Sequence, residues 1–212
     1  SEVWILDKAN PLGNLELVLK RPENHLYSIE DGGDYFYALS NYDDAKNFKV
    51  MRLEKDDFQN INNWEEVIEV RDTHYIEDML TFREFIVIQS RYDGIPIIEV
   101  FDFNKNSLNQ INMKDEVYDL GLVYNNDFDA SFFRYSYSSL KTSPQILKYD
   151  LYENNNNVIW KKQVNNFINT DYEIKRIKTL ARDETNVPVS IVYKKGLNLK
   201  NAPMLIYGYG SY

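Results

Sequence analysis

Residues Glu99–Asp102 read E-V-F-D, and tetrapeptides of the same kind stand at Trp4 (W-I-L-D), Val50 (V-M-R-L) and Leu147 (L-K-Y-D). Each ends near an acidic or polar turn, and each lies about fifty residues from the next. A second series trails the first by about ten residues: L-E-L-V-L at Leu15, E-E-V-I-E at Glu65, L-N-Q-I-N at Leu108 and V-I-W-K at Val158. Further apolar stretches stand at Tyr35–Leu39 (Y-F-Y-A-L) and Phe85–Gln89 (F-I-V-I-Q). Asp-, Asn- and Lys-rich loops such as 56–63 and 153–157 separate them. Short apolar or alternating segments between turn residues are strand signals.

Four short strands per fifty residues is the unit of a β-propeller blade. Such a sheet cannot bury both faces alone, and stacking around an axis supplies a neighbour on each side. The tally is half a unit at 1–21 and three fuller ones at 25–72, 73–116 and 117–164, fewer than the smallest common closed ring. The stretch N-N-W-E-E-V-I-E at Asn62 could cap a helix, because Asn precedes two Glu and an apolar pattern. The matching places in the other units are not helical, so it is assigned to a strand. The Asn runs 154–157 and 165–169 are too short for a prion-like tract and read as loops.

Composition agrees with a mainly β chain. Of 212 residues 43% are hydrophobic and 15% aromatic, with 17 Tyr and 11 Phe, enough for a sizeable core and rich in strand formers. The formal net charge of -9 argues against a nucleic-acid partner. It suits solubility, and it could steer basic peptides toward the surface. There is no cysteine, which excludes disulfides, thiol catalysis and thiolate metal sites. No apolar run approaches a membrane span and no secretory leader opens the chain. A cytoplasmic location is expected, with no membrane partner and no cofactor. Ser1 stands where an initiator Met would, and the chain is read as a piece of something longer.

After about Asn169 the rhythm stops. Y-E-I-K-R-I-K-T-L at Tyr172 alternates, and in V-P-V-S-I-V-Y the residues Val187, Val189, Ile191 and Tyr193 share one face. A turn-rich connector, K-K-G-L-N-L-K-N-A-P, leads to M-L-I-Y at Met204, a continuous apolar run of the kind buried on both faces. Two alternating strands, a buried strand and a Gly-rich turn suggest the edge of an α/β sheet. A domain boundary is placed between 168 and 169.

The wording A-R-D-E-T-N-V-P-V-S-I-V-Y-K-K-G (181–196) followed by P-M-L-I-Y-G-Y-G-S-Y (203–212) resembles the oligopeptidase B (protease II) branch of the prolyl oligopeptidase family of serine peptidases. R-Y-S-Y-S-S-L-K-T-S-P at Arg134, S-N-Y-D-D-A-K-N-F at Ser40 and the opening S-E-V-W-I-L-D extend the resemblance over essentially the whole chain. Ser211-Tyr212, where prolyl oligopeptidases proper usually carry Gly-Phe, favours this branch. The resemblance implies a seven-bladed propeller capping an α/β-hydrolase domain, with short peptides cut after Lys or Arg in a cavity between them. This chain would then hold the last three and a half blades (1–168) and the first strands of the hydrolase domain (169–212).

The resemblance also implies a Ser-His-Asp triad, yet the Gly-x-Ser-x-Gly elbow that exposes such a serine is missing here. Ser211 has Tyr209, not Gly, two residues before it, and is not taken as a nucleophile. His25 and His74 each begin a blade-like unit without a nucleophile motif. Two His at long spacing without Cys also make a poor zinc site, so no metal is expected. Tyr209 is the residue the resemblance singles out: it would donate its hydroxyl to the oxyanion of the tetrahedral intermediate, between Gly208 and Gly210, which let the backbone approach the substrate. Tyr212 would lie near the substrate pocket. The acidic pairs Asp43-Asp44, Asp56-Asp57 and Glu65-Glu66 read as solvated loop charges.

Two functions compete at this level. The first is a fragment of a serine oligopeptidase, inactive alone, whose propeller gates access for short basic peptides and whose partners are the remaining hydrolase domain and missing blades. The second is a stand-alone propeller-like interaction module from a split or degraded gene, prone to self-association through open sheet edges. A β-sandwich unrelated to peptidases would need the repeat to be accidental.

Overall fold

The computed structural model describes residues 1–21 and 23–208. Its strands are β1 (Trp4–Ile5), β2 (Glu16–Leu17), β3 (Tyr27–Asp31), β4 (Tyr35–Ser40), β5 (Lys49–Glu54), β6 (Glu65–Ile68), β7 (His74–Thr81), β8 (Phe85–Tyr92), β9 (Ile95–Asp102), β10 (Ser107–Gln110), β11 (Tyr118–Leu122), β12 (Phe132–Ser139), β13 (Gln145–Asp150), β14 (Asn155–Lys161), β15 (Tyr172–Leu180) and β16 (Asn186–Lys194). They form three four-stranded antiparallel meanders, β3–β6, β7–β10 and β11–β14, flanked by the pairs β1–β2 and β15–β16. The first tetrapeptide series falls on β1, β5, β9 and β13, the second on or beside β2, β6, β10 and β14. In each four-stranded sheet they are the third and fourth strands.

The acidic residue that ends three of the four tetrapeptides has a physical role. Asp102 Oδ1 accepts from the amides of Asn104 and Lys105 at 2.9 and 3.1 Å, and Asp150 Oδ1 accepts from those of Tyr152 and Glu153 at 3.1 and 3.3 Å. Asp7 does the same for Ala9 at 2.8 Å. These are Asx turns, which reverse the chain between third and fourth strands. The stretch around Asn62 is a single 3-10 turn, Ile61–Asn63, that delivers β6.

Three apolar clusters alternate with the sheets. Strand period two sends neighbouring residues to opposite faces. On β8, Phe85 and Val87 point to a cluster shared with Leu120, Phe133 and Tyr135 of the next sheet. Ile86 and Ile88 point the other way, onto Tyr37, Leu39 and Val50 of the preceding one. Ala38, Met51 and Leu53 continue to a third cluster with Val18, Val3 and Ile5. Each fully buried side chain of this size stabilises by roughly 1.5–3 kcal/mol, so the stack is held by what lies between sheets. All of β14 is exposed.

The run Met204–Tyr207, expected as a doubly buried strand, forms no strand and stands exposed, Leu205 at 92%. An apolar segment becomes a central strand only with partners on both edges, and among the described residues β15 and β16 pair as strands only with each other.

Candidate functional site

Antiparallel meanders put the second-to-third-strand turns (41–48, 93–94, 140–144) and the connections between sheets (18–26, 69–73, 111–117, 162–171) at one common end. Here each sheet closes around a serine: Ser40, Ser90 and Ser139, about fifty residues apart. Ser40 Oγ bonds His25 Nε2 at 2.8 Å. Ser90 Oγ donates to Glu99 Oε2 at 2.9 Å, and Arg71 grips both oxygens of Glu99 at 2.6 and 2.7 Å. In the third sheet Ser139 Oγ accepts from the Lys141 amide at 3.3 Å, and Asp115 beside it accepts from Tyr137 (2.9 Å) and Thr142 (3.1 Å) and pairs with Lys141 (3.1 Å). Asn47 ties neighbouring sheets, donating to the carbonyls of Arg71 (2.8 Å) and Asp72 (2.9 Å).

Ser40 and His25 have the spacing of a nucleophile and its base, but both are buried and enclosed by Tyr27, Tyr42 and Trp64. Ser40 Oγ is also spent on the Tyr42 amide at 3.1 Å. Burial is the leading cause that lowers the His25 pKa from its ordinary 6.5. The pair is a structural closure beneath a surface pocket of about 570 Å³ lined by His25, Tyr42, Asp43 and Asp44. His74 belongs to another sheet, stacked on Tyr92 at 4.8 Å with Nδ1 on Thr73 at 2.9 Å, so the two histidines share no site. Burial, then Arg71, lowers its pKa. Among the described residues no three His, Cys, Asp or Glu gather as a metal would require. No helix of theirs is long and apolar enough to cross a membrane.

Burial alone would raise the Glu99 pKa; the Arg71 fork, its charge and the Ser90 hydroxyl outweigh burial and hold it below the ordinary 4.5. A depressed folded pKa contributes stability that is complete above the unfolded value and lost as pH falls through the folded one. Glu99→Gln is therefore expected to cost about 2 kcal/mol at pH 7. In urea titrations the gap from wild type should close below pH 4.5. A gap unchanged down to pH 3 would refute the assignment.

The hairpin β15–β16 packs on the same end. Arg176, whose side chain is mostly buried, donates from Nη2 to the Asp93 carbonyl and stands 3.8 Å from the Asp93 carboxylate. Lys178, two residues on and hence on the same face of β15, pairs with that carboxylate at 3.1 Å. The Arg176 amide donates to Glu116 Oε2 at 3.3 Å. Asp93 and Gly94 both have positive φ, 48° and 76°, the geometry of a two-residue hairpin turn. Sequence reasoning missed these residues. A charged pair 83 positions apart leaves no local signal, although the serine repeat was there to be read. Tyr209, Ser211 and Tyr212 lie outside the described residues.

Residues 1–163 match the family model described as "Prolyl oligopeptidase, N-terminal beta-propeller domain". This chain belongs to the prolyl oligopeptidase family. Over its whole length it is 26% identical to Protease 2 of Moraxella lacunata and 27% to dipeptidyl aminopeptidase BI of Pseudoxanthomonas mexicana, covering 30% and 29% of those proteins. It thus spans less than a third of the curated relatives it matches. Among solved structures, oligopeptidase B of Trypanosoma brucei, in a closed form with covalently bound antipain, superposes with a TM-score of 0.83 and 26% identity, over 94% of this chain and 29% of that one. Oligopeptidase B of Leishmania major gives 0.84 at 22% identity, with the same coverage, a likeness of fold. The repeated sheets are those of a propeller domain, as in oligopeptidase B.

Proposed function

We propose that this chain is a section of a serine oligopeptidase that cuts short peptides after Lys or Arg. The pair β1–β2 and the three four-stranded sheets are three and a half blades of a seven-bladed propeller that limits entry by size. The hairpin β15–β16 and the residues after it open the α/β-hydrolase domain. Tyr209 is the oxyanion donor and Tyr212 borders the substrate pocket. The nucleophile, base and acid come from outside these 212 residues, and the chain alone is inactive. The acidic surface, at formal charge -9, favours approach of basic peptides.

The observation that carries this reading is the packing of β15–β16 on the connector end of the sheets through Arg176 and Lys178, beyond residue 163, where the propeller match stops. An independent interaction module has no need of a hairpin clamped there. The 212-residue chain is expected to leave a short Arg-containing chromogenic peptide intact. Hydrolysis that follows the chain through size-exclusion and vanishes in a variant of these residues would overturn the inactivity. DNA on both sides should continue the frame, with a Gly-x-Ser-x-Gly motif downstream; a stop codon after Tyr212 would overturn the whole reading.

A further inference from the structure

We infer that Arg176 is a positioning residue, which sets the hairpin β15–β16, and with it the path toward Tyr209, against the propeller; this rests on the function proposed above. The anchor is stiff. Asp93 and Gly94 form the turn between β8 and β9, whose residues Phe85–Ile88 and Ile98 are completely buried. Any side chain at Gly94 would be strained at its φ of 76°, and its Cβ would sit 3.5 Å from Arg176 Nη2. The clamp is one-sided. The amide that Arg176 turns toward Glu116 lies on the free edge of β15, while its other edge pairs with β16, Arg176 opposite Ser190.

Beyond this patch the hairpin has little to hold it. Ile174 is its only buried hydrophobic residue, and Ile177, Leu180, Val187 and Val192 are exposed. Tyr172, Val189, Ile191 and Tyr193 are half-buried, and the polar contacts of Arg176 and Lys178 supply the directional part of the docking that sets the hairpin's register on the sheets. The segment 195–208 leaves directly from β16. A shift of the hairpin carries its starting point, and about 1 Å of misplacement at a reacting centre can cost roughly a hundredfold in rate.

Two measurements test this. Hydrogen exchange is followed on the 212-residue chain as wild type, Arg176→Ala and Arg176→Lys. The alanine variant is expected to exchange at least about tenfold faster across 172–194 while β7–β10 keep wild-type protection; the lysine variant, which keeps the charge but loses the fork, should fall between. Equal protection in Arg176→Ala overturns the docking role. In the longer polypeptide that encloses the chain, Arg176→Ala should lower kcat for a short Arg peptide about tenfold with KM within about twofold, and Arg176→Lys should recover part of it. Faster exchange with unchanged kcat overturns the positioning role. A wild-type longer polypeptide without peptidase activity would remove the proposed function, and the positioning role with it, while the exchange result still decides the docking.

Discussion

Replacing Tyr209 by Phe in the longer polypeptide is expected to lower kcat for a short Arg-containing peptide by about a hundredfold or more, with KM nearly unchanged. The hydroxyl proposed for Tyr209 matters only when negative charge gathers on the carbonyl oxygen in the transition state. Its loss therefore leaves ground-state binding alone and falls on kcat. Phenylalanine keeps the ring and removes only the hydroxyl. Tyr207, two positions earlier in the same Y-G-Y-G string and exposed in this structure, provides the control. Tyr207→Phe should change kcat less than about threefold. Equal losses in both variants would mean the effect is not specific to the Tyr209 hydroxyl, and a loss below threefold at Tyr209 would remove it from the oxyanion site.

The fold was largely legible because strand stacking is repetitive. A blade-like sheet must present apolar residues on both faces of its inner strands and reverse direction at fixed intervals, and both demands are written locally. Phe85, Ile86, Val87 and Ile88 are continuous apolar residues because β8 is covered on either side. Asp7, Asp102 and Asp150 recur because the same turn recurs. Where a neighbour is needed to complete the pattern, an apolar segment does not by itself fix burial. Val158, Ile159 and Trp160 look like the second strand series elsewhere but are exposed on β14, and Met204–Tyr207 look like a buried strand but have no partner strand among the described residues.

The connector end was much less legible. Its closures use a serine in every sheet but different neighbours each time: histidine for Ser40, an Arg-Glu pair for Ser90, an aspartate with a tyrosine beside Ser139. The physical demand is only that a buried or half-buried hydroxyl and its neighbours be satisfied, and several side chains meet it equally well. A search for identical residues therefore passes over the pattern. His25, set aside as a base for want of a nucleophile motif, fills such a closure through its hydrogen bond with Ser40. The Arg176–Asp93 contact joins segments that meet only after the sheets have stacked, so no spacing rule anticipates it.

Phe85→Ala is expected to destabilise the chain by about 3–5 kcal/mol in urea unfolding, the largest stability effect of any single change argued here. Phe85 is completely buried, stacked on Phe82 at 4.4 Å and 9°, with Phe133 of the next sheet at 6.3 Å. Truncation removes the ring's transfer energy and leaves a cavity that little can fill, because Val87, Ile98 and Tyr135 around it are held by their own strands. Each sheet touches only its neighbours, so the damage falls on one junction: between β7–β10 and β11–β14. Val158→Ala on exposed β14 should cost less than about 0.5 kcal/mol, although both residues lie in apolar strand segments of the same repeat. Fluorescence of Trp64, in the junction between the first sheet and β1–β2, reports from the far side once Trp4 and Trp160 are replaced by Phe. If the stack unfolds as one unit, the Trp64 signal and far-ultraviolet dichroism shift together in Phe85→Ala. If the sheets part singly, the Trp64 transition stays near that of wild type while dichroism moves ahead of it. A loss under about 1.5 kcal/mol by both probes would mean that packing between successive sheets does not hold this fold together.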